Sequence, residues 1–231
     1  MLALAVDTSS PTGSLAILRD AAILGVVSTS SDEAYSARMF RQLEFLLAEL
    51  GVALPSVDLY AVNSGPGSFT GLRVGLAAVK GWSEVYGRPI APVSGLEAVA
   101  AQAPVLHGAI ATIQDARRGQ VFGALYVRNG ERLAVQISDC VAAPQEFLQL
   151  LAEKVSPEEV VFATTSTDVA RGALAGSRFS KSPLVRVSPV LAPIVGRLGV
   201  ERAERGAVVT ALELDAAYIR HTDAEMHWKQ I

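Results

Sequence analysis

The stretch Asn63-Ser64-Gly65-Pro66-Gly67-Ser68-Phe69-Thr70-Gly71-Leu72-Arg73-Val74-Gly75 constrains this chain most. It follows a short apolar run at 59–62. The order predicts a strand, a turn at Gly65, Pro66 and Gly67, and a helix over 70–86. Glycine in such a turn admits positive φ and a close backbone approach. A helix opening directly after it presents amide donors at its N-terminus, which suits an anion. Asp7 and Ser9, at the end of the first expected strand, and Gly65, Gly67 and Ser68 are therefore candidate contacts for a phosphate or nucleotide. The alternative is a tight strand-to-helix turn with no ligand. Two familiar phosphate loops do not match. No Lys follows Gly71, as a Walker A loop requires. Gly65, Gly67 and Gly71 miss Gly-x-Gly-x-x-Gly by one position, and Glu84 falls inside the helix, not at a strand end.

The same helix carries Gly71 and Gly75 four apart, and Ala78 and Trp82 continue that face. Small residues at this spacing predict a flat groove into which another helix packs. A second helix is expected over 36–50, where Met39, Leu43, Leu46, Leu47 and Leu50 recur at helical spacing and Gly51 stops the run. Phe40 and Phe45 lie partly off that stripe, so this helix is apolar on two sides. The expected partner interface is Met39, Leu43, Leu46, Leu50, Thr70, Gly71, Val74, Gly75, Ala78 and Trp82.

Half of the 231 residues are hydrophobic, with a mean hydropathy of +0.33. No apolar run reaches the roughly 18 residues that a membrane span needs. The start, Met1 to Val6, leads straight into polar Asp7 and reads as a strand, not a signal peptide. Surplus apolarity without a span points to a buried subunit interface. The net charge is −3, with no basic run and no interleaved aromatics, so RNA is expected to be met through a partner. The single Cys140 excludes an internal disulfide and a cysteine-cluster metal site, and fits a small apolar filler in a reducing cytoplasm.

Along the chain, strands are expected at 2–6, 14–19 and 22–28, with a hairpin tip at Arg19-Asp20. The two helices above alternate with strands at 59–62 and 90–93, and a helix follows at 96–102. Beyond Pro104 the order restarts. Strands are expected at 108–114, 121–128 and 132–137, with Asn129-Gly130 a hairpin turn. A helix at 144–153, a strand at 160–163, a loop with a short strand over 177–189 and a helix at 192–204 complete it. Two halves that open alike, β-β-β-α-β-α-β-α in the first, suggest a duplicated α/β fold of two mixed sheets with flanking helices, the second half reduced. The expected division is 1–103 and 104–231.

Catalytic sets are scarce. Asp7 with Thr8, Ser9 and Ser10 can position a phosphate, or simply form a turn. Arg117 or Arg118 in Asp115-Ala116-Arg117-Arg118-Gly119 can meet an anion or make a salt-bridged hairpin. His107, His221 and His227 show no metal-ligand spacing, and Asp223, Glu225 and His227 read as a solvated terminus.

Leu4-Ala5-Val6-Asp7-Thr8-Ser9-Ser10, the segment Gly65 to Gly75, Asp115-Ala116-Arg117-Arg118-Gly119-Gln120-Val121-Phe122 and Ala217-Tyr218-Ile219-Arg220 together resemble the TsaB (YeaZ-like) family over nearly the whole chain. The resemblance implies an actin/sugar-kinase/Hsp70-like fold. It implies a role in making threonylcarbamoyladenosine at position 37 of tRNAs that read codons starting with A. It further implies a cytoplasmic, non-catalytic scaffold that binds and activates a longer TsaD-like catalytic subunit. Other expected contacts are a TsaE-like ATPase, a second copy of the chain when alone, and tRNA only through the complex. No cofactor is intrinsic to it, and ATP or ADP belongs to the complex. The metal-ligand His positions of the TsaD relatives fall on Gly95 and Val99, which cannot bind a metal. Where TsaB relatives commonly carry a His before the first helix, this chain has Tyr35, with acidic Asp32-Glu33 upstream. The rival reading is a stand-alone enzyme of the same fold, an ATP-dependent kinase working through Asp7 or Asp115, or a hydrolase.

Overall fold

A computed structural model describes residues 1–215. The chain runs β1 (Leu2–Asp7), β2 (Thr12–Arg19), β3 (Ala22–Ser30), α1 (Tyr35–Leu50), a 3-10 turn (Leu54–Ser56), β4 (Leu59–Gly65), α2 (Phe69–Tyr86), β5 (Ile90–Ser94) and α3 (Gly95–Ala101). It continues with β6 (His107–Asp115), β7 (Val121–Asn129), β8 (Arg132–Ala142), α4 (Pro144–Ala152), β9 (Val160–Thr164), α5 (Thr167–Leu174), β10 (Leu184–Arg186) and α6 (Ala192–Glu204).

The strands form two five-stranded sheets, β3-β2-β1-β4-β5 and β10-β9-β6-β7-β8. Read from β8, the second has the order of the first. In each, a three-strand antiparallel meander is extended by two parallel strands. The duplication expected from the sequence is therefore present strand for strand. The reduction of the second half lies in its helices: α4 and α5 have 9 and 8 residues against 16 and 18 in α1 and α2. Helix α5 was not among the expected elements, and β8 runs five residues beyond its expected end at Ile137.

Alternation along the strands splits the molecule into layers. In β1, Leu4 and Val6 point to α1 and α2, whereas Ala3 and Ala5 point to the middle of the molecule. Ala16, Ala61 and Ala91 join them on that inner face. Helix α6 lies on it with Gly196 and Gly199, and a Cβ at Gly199 would come within 2.5 Å of the Ala61 Cβ. Small residues on both surfaces let helix and sheet approach closely. Leu96 and Val99 of α3, Val195 and Val200 of α6, and Phe122, Ala124 and Tyr126 of the second sheet complete one shared core. A third core, centred on Phe147, Phe162 and Phe179, lies under α4 and α5.

The expected division at Ala103 and Pro104 falls between α3 and β6. The segment after 190, grouped by that division with the second half, packs on the first. Val209 bridges Ile90, and Ala211 and Leu214 join the core under α1 and α2. Among the described residues, no helix is long and apolar enough to cross a membrane.

Polar contacts fasten α3 at both ends and in its middle. Ser94 Oγ caps its N-terminus and donates to Asp139 Oδ2 at 2.5 Å. Glu97 pairs with Arg202 of α6. The Arg128 guanidinium of β7 donates to the carbonyls of Ala100, Ala101, Ala103 and Val105 at the helix C-terminus, at 2.8–3.1 Å. A cation there meets the negative end of the helix dipole. Arg128→Leu is expected to lower unfolding free energy by about 3 kcal/mol, because it leaves the Ala101 and Val105 carbonyls without their donor and removes a cation from the helix C-terminus. A urea titration that finds an unchanged midpoint would contradict this.

Candidate functional site

The motifs at the ends of β1 and β4 meet in one buried polar cluster. Asp7 is fully buried. Its Oδ1 accepts from Ser9 N at 3.1 Å, Ser9 Oγ at 2.7 Å and Asn63 Nδ2 at 2.9 Å. The Asn63 amide also donates to Ser9 Oγ, and its Oδ1 accepts from Gly65 N at 3.0 Å. Asp7 Oδ2 has no hydrogen-bond partner. Burial raises the carboxyl above its ordinary value of 3.8, with the Ser9 and Asn63 bonds opposing. Asn63 is the polar centre of this cluster, and it was not among the expected site residues.

The five phosphate candidates come together here, but the cradle they were expected to form is filled by the chain itself. Gly67 lies against Ser9, where a Cβ would be 2.6 Å from Ser9 O. Ser68 N donates to Ser9 O at 2.7 Å, and Gly71 N is capped by Ser68 Oγ at 3.3 Å. Gly65 N is taken by Asn63. The sequence order predicts a helix N-terminus beside a strand end correctly, but Ser9 O, Ser68 Oγ and Asn63 Oδ1 accept from the Ser68, Gly71 and Gly65 amides.

The groove expected on α2 is corrected for the same reason. A Cβ on Gly71 would stand 2.1 Å from Thr8 O, and one on Gly75 would stand 2.4 Å from Thr8 Oγ1. Thr8 Oγ1 in turn donates to Gly71 O at 2.8 Å. The glycine face of α2 thus seats the end of β1, not a partner helix. Met39, Leu43 and Leu46 of α1 are likewise buried in the chain's own core, with Leu50 packed against it. Of the ten expected interface residues, Leu50, Thr70, Val74, Ala78 and Trp82 keep exposed or half-buried surface.

What α1 and α2 do present outward is different. Val74, Ala77, Ala78, Gly81, Trp82 and Val85 recur at helical spacing along α2, and Val85 is 73% exposed. Phe40 of α1, 53% exposed, meets the Trp82 ring edge-on at 6.4 Å between centroids. Phe45 is exposed on α1 as well. Sequence spacing named Phe40 and Phe45 as off the main stripe, and that was the legible signal.

The remaining candidates separate. Arg117 pairs with Asp115 at 3.4 Å and donates its backbone N to Asp115 Oδ1, which is the salt-bridged hairpin. Gly95 and Val99 are buried in α3, with Gly95 against Asn63. Tyr35 OH donates to Ser10 O at 3.0 Å. Cys140 is half-buried on β8 and donates to Gly123 O. Among the described residues, no group of three His, Cys, Asp or Glu side chains could hold a metal ion. His221, His227, Asp223, Glu225 and the motif 217–220 lie outside the described residues.

Known proteins match this chain over most of its length. The family model for TsaD, tRNA N6-adenosine threonylcarbamoyltransferase, matches residues 16–187. The tRNA threonylcarbamoyladenosine biosynthesis protein TsaB of Bacillus subtilis is 34% identical over 68% of this chain and 69% of its own. TsaB of Haemophilus influenzae is 28% identical over 99% of this chain and 96% of its own. The solved structure of YeaZ from Pseudomonas aeruginosa superposes with a TM-score of 0.76 at 26% identity, covering 94% of this chain and 99% of that one. The chain thus shares its architecture of two mixed five-stranded sheets with flanking helices with the YeaZ structures.

Two outcomes are expected. Gly75→Leu should destabilise the monomer itself by at least about 3 kcal/mol, since overpacking meets the end of a core strand; an unshifted thermal melt would refute the assignment. Asp7 has a folded-state pKa above its unfolded one, so its stabilising contribution is full below 3.8 and is lost as pH rises through the raised value. The stability of the natural chain relative to Asp7→Asn should therefore fall as pH is raised above 3.8, measured by urea unfolding at several pH values. A pH-independent difference would argue that Asp7 is not held in this way.

Proposed function

Because the chain belongs to the TsaB/YeaZ family of tRNA threonylcarbamoyladenosine biosynthesis proteins, we propose that it serves there as a non-catalytic subunit that docks on and activates a TsaD-like catalytic subunit. The observation that carries this reading is the outward apolar stripe of α2 with Phe40 of α1. Exposed aromatic and aliphatic side chains grouped on two neighbouring helices favour a protein partner. The same stripe, being one continuous surface, serves a second copy of the chain when the partner is absent.

The polar cluster supports a scaffold over an enzyme. Asp7 is sealed from solvent and spends one oxygen on Ser9 and Asn63. A general base needs hydrogen-bond reach to a substrate proton. Asp7, Ser9, Asn63 and Gly65 instead fix the ends of β1 and β4, and through Thr8 the start of α2. They are positioning residues for the docking helix. The chain is proposed to act in the cytoplasm, to share the complex with a TsaE-like ATPase, and to leave ATP or ADP to the other subunits.

Ala77→Arg tests the docking stripe, since Ala77 is exposed and its substitution leaves the core untouched. Light scattering after size exclusion should give a one-to-one complex of the natural chain with the TsaD-like protein of the same source. The variant should weaken that complex at least tenfold, as expected when a charge is buried unpaired at an interface. Equal affinity for both chains would displace the partner surface from α2.

A further inference from the structure

The net charge of −3 conceals a strong local asymmetry. Between residues 169 and 200 the chain has five basic residues and no acidic one. Four of the five, Arg171, Arg178, Lys181 and Arg186, are exposed and belong to one continuous unit. Arg171 is on α5, which packs against β10. Arg186 is on β10, the edge strand of the second sheet, paired only with β9. Arg178 and Lys181 project from the turn between them. None of the four makes an ion pair among the described residues. The nearest acids in sequence are Asp168, in the first turn of α5, and Glu201 on α6, which pairs with Arg205; Glu158 and Glu159 precede β9, with Glu159 engaged by Ser156.

The turn that carries Arg178 and Lys181 is held firmly. Phe179 between them is fully buried and meets Phe162 at 5.7 Å. Ser177 Oγ bonds both Leu174 O and Phe179 N, and Ser182 Oγ bonds Pro157 O at 2.7 Å. The Arg178 guanidinium stands over the Phe179 ring. Exposed Ser180 lies between the two cations and offers a hydroxyl to an acceptor. Unpaired cations on a tethered turn and an edge strand, with a hydroxyl among them, match a run of phosphodiesters. Such a run carries regularly spaced charge and no sequence requirement.

We infer that this edge of the second sheet, Arg171, Arg178, Lys181 and Arg186, is a direct contact surface for the phosphate backbone of tRNA within the modification assembly. The identity of the polyanion rests on the proposed function; the charge pattern does not. The surface lies on the second sheet, whereas the docking stripe covers the first, so both can be engaged at once. This revises the expectation that tRNA is met only through a partner.

The test is fluorescence anisotropy of an unmodified tRNA transcript titrated with the full chain at low salt. The comparison is a variant carrying Arg171→Gln, Arg178→Gln, Lys181→Gln and Arg186→Gln. The natural chain should bind, with log K falling against log salt with a slope of about −3 for the four cations. The variant should bind at least tenfold more weakly and with a flatter slope. It should keep its circular dichroism spectrum and its complex with the TsaD-like protein. No binding by the natural chain, equal binding by the variant, or tighter capture by vesicles of anionic phospholipid than by tRNA would each overturn the inference. Failure of the natural chain to form the protein complex would remove the proposed function and leave this readout interpretable.

Discussion

Helix α6 can lie where it does because the inner face of the first sheet is made of alanines. Ala3, Ala5, Ala16, Ala61 and Ala91 give α6 a shallow bed, and Gly196 and Gly199 remove the side chains that would lift it. With α6 seated closely, α3 sits beside it and the second sheet closes on both. One core then serves two halves that would each be small alone. The scarcity of aromatics and abundance of alanine follow from this layer, because close packing at native density leaves no room for larger groups. Arg128, Glu97 with Arg202, and Ser94 with Asp139 add directional contacts that fix α3 along its length.

A similar economy governs the other side of the sheet. Gly67, Gly71 and Gly75 draw α2 onto residues 8 and 9, and the approach seals Asp7 with Asn63 and Ser9. The carboxylate of Asp7 at the end of β1 is an internal tie. The chemistry it offers is positional. It holds the start of α2, and so the outward stripe from Val74 to Val85, in one register. Part of the apolar surplus of the composition reappears on that stripe and on Phe40.

Charge is partitioned as sharply as apolar surface. The acidic balance of the whole chain coexists with four exposed cations, Arg171, Arg178, Lys181 and Arg186, at one edge of the second sheet. Two surfaces of different chemistry thus lie on different sheets, one apolar and helical, one basic and at a strand edge. A rigid shared core is what lets such surfaces be presented in a fixed relation.

Most of the elements were legible because they rest on local rules: the spacing of Met39, Leu43 and Leu46, the Asn129-Gly130 turn, the Gly-Pro-Gly turn before α2. Helix α5 was not, because eight residues with Gly172 among them give too short a pattern to register. The duplicated order was legible too, and the motifs at 4–10, 65–75 and 115–122 carried the family resemblance. The candidate site was half legible. The sequence by itself determined that Asp7, Ser9, Gly65, Gly67 and Ser68 meet, that Gly71 and Gly75 leave α2 bare on one face, and that α1 has two apolar sides. Only the tertiary structure decided what covers each face, since periodicity records that a face is apolar or small but not which neighbour fills it. The end of β1 fills the glycine face, the sheet fills the Met39 stripe, and Phe40 and Val85 remain outside.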